Sequence, residues 1–146
     1  MGLVLNRPVE TTVDEAAPEL SDVVDGEEAL FQGGPVQPSG VIVLAEFADP
    51  DDAAMLVVGG VGPLSASADL GAVQVVDGRA RAFAGHAGWG PGQLDSELER
   101  DDWFVEPARA EDAFAVDAER LWAAVLERKG GEYALVARMP EDPRVN

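Results

Sequence analysis

The stretch GHAGWGPGQLDSEL, residues 85–98, comes nearest in this chain to a set of residues that could do chemistry. Four glycines (Gly85, Gly88, Gly90, Gly92) surround the only histidine, His86, and Trp89, and an acidic amphipathic segment follows. A glycine-rich loop running into a helix can hold an anion on free backbone N–H groups, and Pro91 suits a first helical turn. A nucleotide-binding P-loop needs a trailing Lys-[Ser/Thr], whereas Gln93, Leu94 and Asp95 follow here. The glycines fall as G-x-x-G-x-G-x-G, which is not the dinucleotide fingerprint. Asp95, Glu97 and Glu99 would repel an anion from the same helix. The reading favoured is a turn that lets a helix pack closely.

The other candidates for chemistry are weaker. His86 has a suitable pKa range for a general base, but no nucleophile lies near it in the sequence, so no catalytic residue is assigned. Asp51-Asp52 and Asp101-Asp102 are adjacent pairs, which in a strand point to opposite faces and in a turn are solvated. There is no calcium loop and no cysteine, so no metal site and no cofactor are expected. Trp89 between glycines fits a plug against a sheet better than an exposed contact. Trp122, at helical spacing with Leu121 and Val125, reads as core, and Trp103 beside Phe104 fits either core or surface.

Ten Lys and Arg residues stand against 28 Asp and Glu in 146 residues, a net charge of −18. DNA binding draws most of its affinity from basic side chains on phosphates, so this balance argues against direct nucleic-acid contact. It suits solubility and repulsion from anionic surfaces. The start MGLVLNRPVE lacks a secretory layout, and the longest apolar run, 53–64, is broken by glycines and too short to span a bilayer. A cytoplasmic protein without membrane contact is expected.

The elements that would carry these residues read as follows. LVL at 3–5 is strand-like and stops at Pro8. A short helix over 13–20 is capped by Thr11 or Thr12 and limited by Pro18. VIVLAEF (41–47) is a buried strand, and MLVVGGVGPLSAS a second strand ending in glycines. AVQVVDGRARAFAG reads as a hairpin turning at Asp77-Gly78. A helix covers 93–99, DWFVEPA is strand-like, and DAERLWAAVLERKGG is a helix capped by Asp117 and ended by Gly130. EYALVARM is the last strand, before a proline-punctuated tail. Together they predict one α+β domain over residues 1–146, a mixed, mostly antiparallel, barrel-like sheet flanked by about three helices.

GLVLNRP (2–8), FQGGPV (31–36), AGWGPGQLDSEL (87–98), Trp103 and the ending PEDPRVN (140–146), in that order and spacing, resemble the YqgE/AlgH family of bacterial proteins from end to end. The resemblance implies a cytoplasmic protein with a compact mixed-sheet fold, from a family described as uncharacterised or as transcriptional regulators. It brings no established activity. The family's recurrent positions fall here on Asn6, Arg7 and Pro8, on Gln32, Gly33, Gly34 and Pro35, and on Gly88, Trp89, Gly90, Gly92, Gln93, Leu94 and Glu97. These form the candidate binding patch. His86 stands where the family commonly has an aromatic residue. The family also implies a segment ahead of GLVLNRP, read as two strands and a turn. This chain would start within the second of those strands, leave a sheet edge unpaired, and gain stability when extended upstream.

Three functions compete on these grounds. The favoured one is a non-enzymatic regulatory or protein-interaction module, with Arg7 and Gln93 making contacts, or with Arg7 merely bridging to Glu97. The second is a small-molecule-binding protein or enzyme with a pocket between LNRP, QGGPV and GWGPGQL, where Arg7 could clamp an anion. The third, a DNA-binding transcriptional regulator, is disfavoured by charge.

Overall fold

In the computed structural model, which describes residues 1–139, five strands form one sheet in the order β1-β2-β5-β3-β4. They are β1 (Pro8–Thr12), β2 (Ala29–Gln32), β3 (Val36–Phe47), β4 (Val61–Pro63) and β5 (Val75–His86). β2 runs parallel to β5, and every other pair is antiparallel. The mixed α+β class holds. The barrel-like closure does not: among the described residues β1 and β4 are the edge strands of an open sheet, with Ala54 and Val57 N–H groups donating to Pro63 O and Val61 O of β4. Four α-helices accompany it, α1 (Val13–Ala16), α2 (Gln93–Glu99), α3 (Leu121–Lys129) and α4 (Tyr133–Val136).

Side chains alternate across a strand, and here both faces are covered. Leu30, Val43, Ala45, Phe47, Ala80 and Ala82 face Val13, Val23 and Val24. Phe31, Leu44, Val61 and Phe83 face Ala113 and Ala118 on the other side. Phe83 on the central strand is fully buried, with its ring 5.6 Å from that of its register partner Phe31.

Several sequence readings need correction. Residues 2–5 are tied down by Gly2 bridging Ala87 and by Val4 N–H donating to Gly33 O at 2.9 Å, and the strand begins at Pro8 instead of stopping there. An edge strand can open on a proline because no ladder donor is needed. The helix at 13–20 is divided as Pro18 requires, into α1 and a 3-10 turn, Pro18–Leu20. The 72–85 segment is no hairpin. Asp77 and Gly78 have φ of 50° and 68°, yet Ala45 pairs with Ala80 and Phe47 with Val75, so both arms lie on β3 and the turn dipeptide forms a bulge. The long β3 offers each arm a partner that the other arm would otherwise have to supply.

DWFVEPA is irregular, with Trp103, Phe104 and Val105 exposed. EYALVARM contains the helix α4. Gly130 and Gly131, with φ of 76° and 57°, turn the chain straight back onto α3, and Ala, Leu, Arg and Met are good helix formers. Trp122 is 47% exposed and not core; Leu126 is the buried residue of α3. The expected Asp117 cap is not on α3: Arg120 stands at its N-cap with no side-chain cap bond, and Asp117 Oδ1 accepts from Arg120 N–H at 3.3 Å in the turn before the helix. The tail PEDPRVN lies outside the described residues. No helix among those described is long and apolar enough to cross a membrane.

Candidate functional site

The three motifs meet through backbone. Gln32 N–H donates to Arg7 O at 2.8 Å, Gly33 N–H to Ala84 O at 2.8 Å, and Gly2 and Ala87 exchange both of their hydrogen bonds. A Cβ built on Gly33 would overlap the Gly85 carbonyl oxygen, and one on Gly85 would overlap that of Gly34. Gly85 also has φ 69°, a conformation costly for any other residue. Gly33 and Gly34 are buried, while Arg7, Pro8, Gln32 and Pro35 are exposed and Asn6 is half-buried. The glycines therefore permit a close crossing of three chain segments.

Beyond that crossing, the GWGPGQL loop closes on itself. Gly92, with φ 73°, precedes the first residue of α2, so Pro91 sits in the turn before the helix. Gly90 N–H donates to Gln93 Oε1 at 3.1 Å, and Gln93 Nε2 donates to Glu97 Oε1 at 2.9 Å. Glu97 Oε2 accepts two indole N–H groups, from Trp89 at 3.1 Å and from Trp103 at 2.8 Å. The two indoles meet edge to face, 5.9 Å between centroids. The hydrogen bond from Trp103, then that from Gln93 and more weakly that from Trp89, hold the Glu97 carboxyl below its ordinary value against the effect of burial.

Among the predicted residues, Trp89, Gln93 and Glu97 thus form one cluster, to which Gly90 adds a backbone donor. Gly88, Gly90, Gly92 and Gln93 are exposed, and Trp89 and Glu97 half-buried. Arg7 does not bridge to Glu97, whose oxygens are taken by the indoles and the Gln93 amide. His86 Nδ1 lies 3.1 Å from the neighbouring Ala87 carbonyl. Trp103 was open in the sequence because its partner lies six residues away, across a helix end. Three concavities open elsewhere, of about 440, 360 and 510 Å³, and of the candidate residues only Pro8 lines one of them.

Arg81 was missed as a candidate. RARAF places it on the same face as Phe83, between alanines that face the other way. That alternation was the available signal. Arg81 is 7% exposed. Among the described residues, no group of three or more His, Asp or Glu side chains is arranged to hold a metal ion.

Fold and site together define an α+β protein whose one open sheet carries a glycine-built crossing beside a carboxylate that clamps two indoles. The AlgH-like family profile matches residues 1–134, and the chain belongs to this family. It is 36% identical over 159 residues to a UPF0301 protein of Thermobifida fusca and 38% identical over 152 residues to one of Streptomyces avermitilis. Each match covers 100% of this chain and 79% of the relative. The crystal structure of protein DIP2367 from Corynebacterium diphtheriae superposes with a TM-score of 0.77 at 30% identity, over 92% of this chain and 73% of that one. The solution structure of the AlgH protein from Pseudomonas aeruginosa gives 0.60 at 27%, over 97% and 79%.

Proposed function

We propose that this chain is a non-enzymatic regulatory or protein-interaction module of the cytoplasm. The observation that carries the reading is the segment Trp103-Phe104-Val105, whose residues are 47%, 54% and 61% exposed although each is anchored from behind. Trp103 is held by Glu97, the Phe104 ring packs edge to face on Tyr133 at 5.2 Å, and Lys129 Nζ donates to the Val105 carbonyl at 2.7 Å. An apolar stretch kept exposed by directed bonds is what a contact surface needs, since little ordering remains to be done on binding. Arg7, exposed just before β1, adds a cation on a strongly acidic molecule. The net charge of −18 speaks against DNA as the partner.

Pull-downs with wild type, Phe104→Ser and Arg7→Ala, each first shown to melt normally, test the reading. A partner retained by wild type and lost from Phe104→Ser is expected. Recovery of the same proteins by all three chains would sink it.

A further inference from the structure

Arg81 is buried, and among the described residues it has no carboxylate within ion-pair distance. It stands opposite Leu44 in the β3–β5 ladder, with its guanidinium carbon 4.3 Å from the centroid of the Phe31 ring. Nη1 donates to Ala113 O at 3.1 Å and Nη2 to Ala115 O at 3.2 Å. Nε is buried and has no partner among the described residues. A guanidinium has five N–H donors, and these bonds occupy two. Among the described residues, no Asp or Glu lies within ion-pair distance of it; the described ion pairs engage Arg79, Arg100, Arg128 and Lys129. Burial pushes its pKa down and the more distant Glu28 pushes it up, but an arginine stays protonated in proteins. A buried, unpaired charge is expensive and calls for an anionic partner.

The concavity of about 440 Å³ lined by Arg81 and Phe31 lies within the size range of small-molecule sites, about 300–1,000 Å³. Its lining also includes Glu28, Asp117 and Glu119, all exposed. One buried cation and three exposed carboxylates on a single concavity select a ligand by charge arrangement. A phosphate dianion would meet the carboxylates and the field of a molecule with net charge −18. A bare cation would meet Arg81. A molecule carrying both signs satisfies both.

We propose that this concavity binds a small amino-acid zwitterion, its carboxylate on the Arg81 guanidinium and its ammonium on the carboxylates of Glu28, Asp117 and Glu119. The site is independent of the Trp103–Val105 surface, so either can fail without the other.

The test is titration of ¹⁵N-labelled full chain with L-lysine, with L-lysinamide (no carboxylate) and with acetate (no ammonium), at constant ionic strength. L-lysine is expected to produce saturable amide shifts at Phe31, Arg81 and residues 114–119. Its affinity should exceed that of either fragment by about tenfold, the order of one charge-assisted hydrogen bond. The exposed triple variant Glu28→Gln/Asp117→Asn/Glu119→Gln should erase the advantage over acetate, and Arg81→Met the advantage over lysinamide. Should Arg81→Met fail to fold, the triple variant still decides. The proposal is overturned by the lack of any saturable shift, by lysinamide binding as tightly as lysine, or by an unchanged triple variant.

Discussion

Glu97 accepts from two indoles and one amide, so a single carboxylate holds the glycine loop, α2 and Trp103 together. Its folded pKa is depressed below the unfolded value of 4.5. A group shifted in that direction contributes its stabilisation above the unfolded pKa and loses it as pH falls through the folded one. The Trp89 and Trp103 indole N–H resonances should therefore be constant from neutral pH to about 5 and move together only in more acid solution. Glu97→Gln should displace both already at pH 7, because a neutral amide is a weaker acceptor than a carboxylate. Indole resonances of Glu97→Gln that overlay those of wild type at pH 7 would exclude the clamp. Trp89, Gln93 and Glu97 were legible as family positions. That they are bonded to one another was not, because side-chain direction follows from the loop closing at Gly92.

At the scale of elements, the region after residue 105 depends on few directed contacts. Arg128 on α3 grips Asp112 with two bonds of 2.8 Å, and Asp112 also accepts from Arg109 N–H at 2.8 Å. This ties α3 to the 3-10 segment Ala110–Phe114, whose Ala113 carbonyl, together with that of Ala115 just beyond its end, holds Arg81. Both side chains of the pair are more than four-fifths buried. Arg128→Ala should lower unfolding stability by about 1–3 kcal/mol in urea denaturation, as expected for a largely buried, bidentate pair that loses one partner. A change below about 0.5 kcal/mol, the range of ordinary surface substitutions, would show the pair to be ornamental. The misread elements share a cause. Asp77-Gly78 has the chemistry of a hairpin turn and EYALVARM the composition of either state, and in each case the neighbouring element decided. β3 was long enough to pair both arms, and Gly130-Gly131 folded α4 back on α3.

For the whole molecule, 28 acidic against 10 basic side chains set a self-repulsion that salt screens. Raising NaCl from 0.05 to 0.5 M should raise the melting temperature by about 2–5 °C, equivalent to roughly 1 kcal/mol for a domain of this size. A flat or falling curve would show that ion pairs such as Arg128–Asp112 and Arg79–Glu46 outweigh the repulsion. Among the described residues, the open sheet leaves β1 and β4 as its edge strands.

What could be read from residues alone was whatever depends on local chemistry or on ordered motifs. That includes the α+β class, the breaks at Pro18 and Gly130, the helix over 93–99, the acidic surface and the family. Only the tertiary structure decided that the sheet stays open, that Trp122 faces outward, that Trp103 shares a carboxylate with Trp89, and that Arg81 is buried beside Phe31 at the wall of a concavity. Each of these turns on which distant segment arrives as a neighbour. Strand alternation and helix periodicity report which face a residue occupies, and they carry no record of what the other chain segment brings to that face.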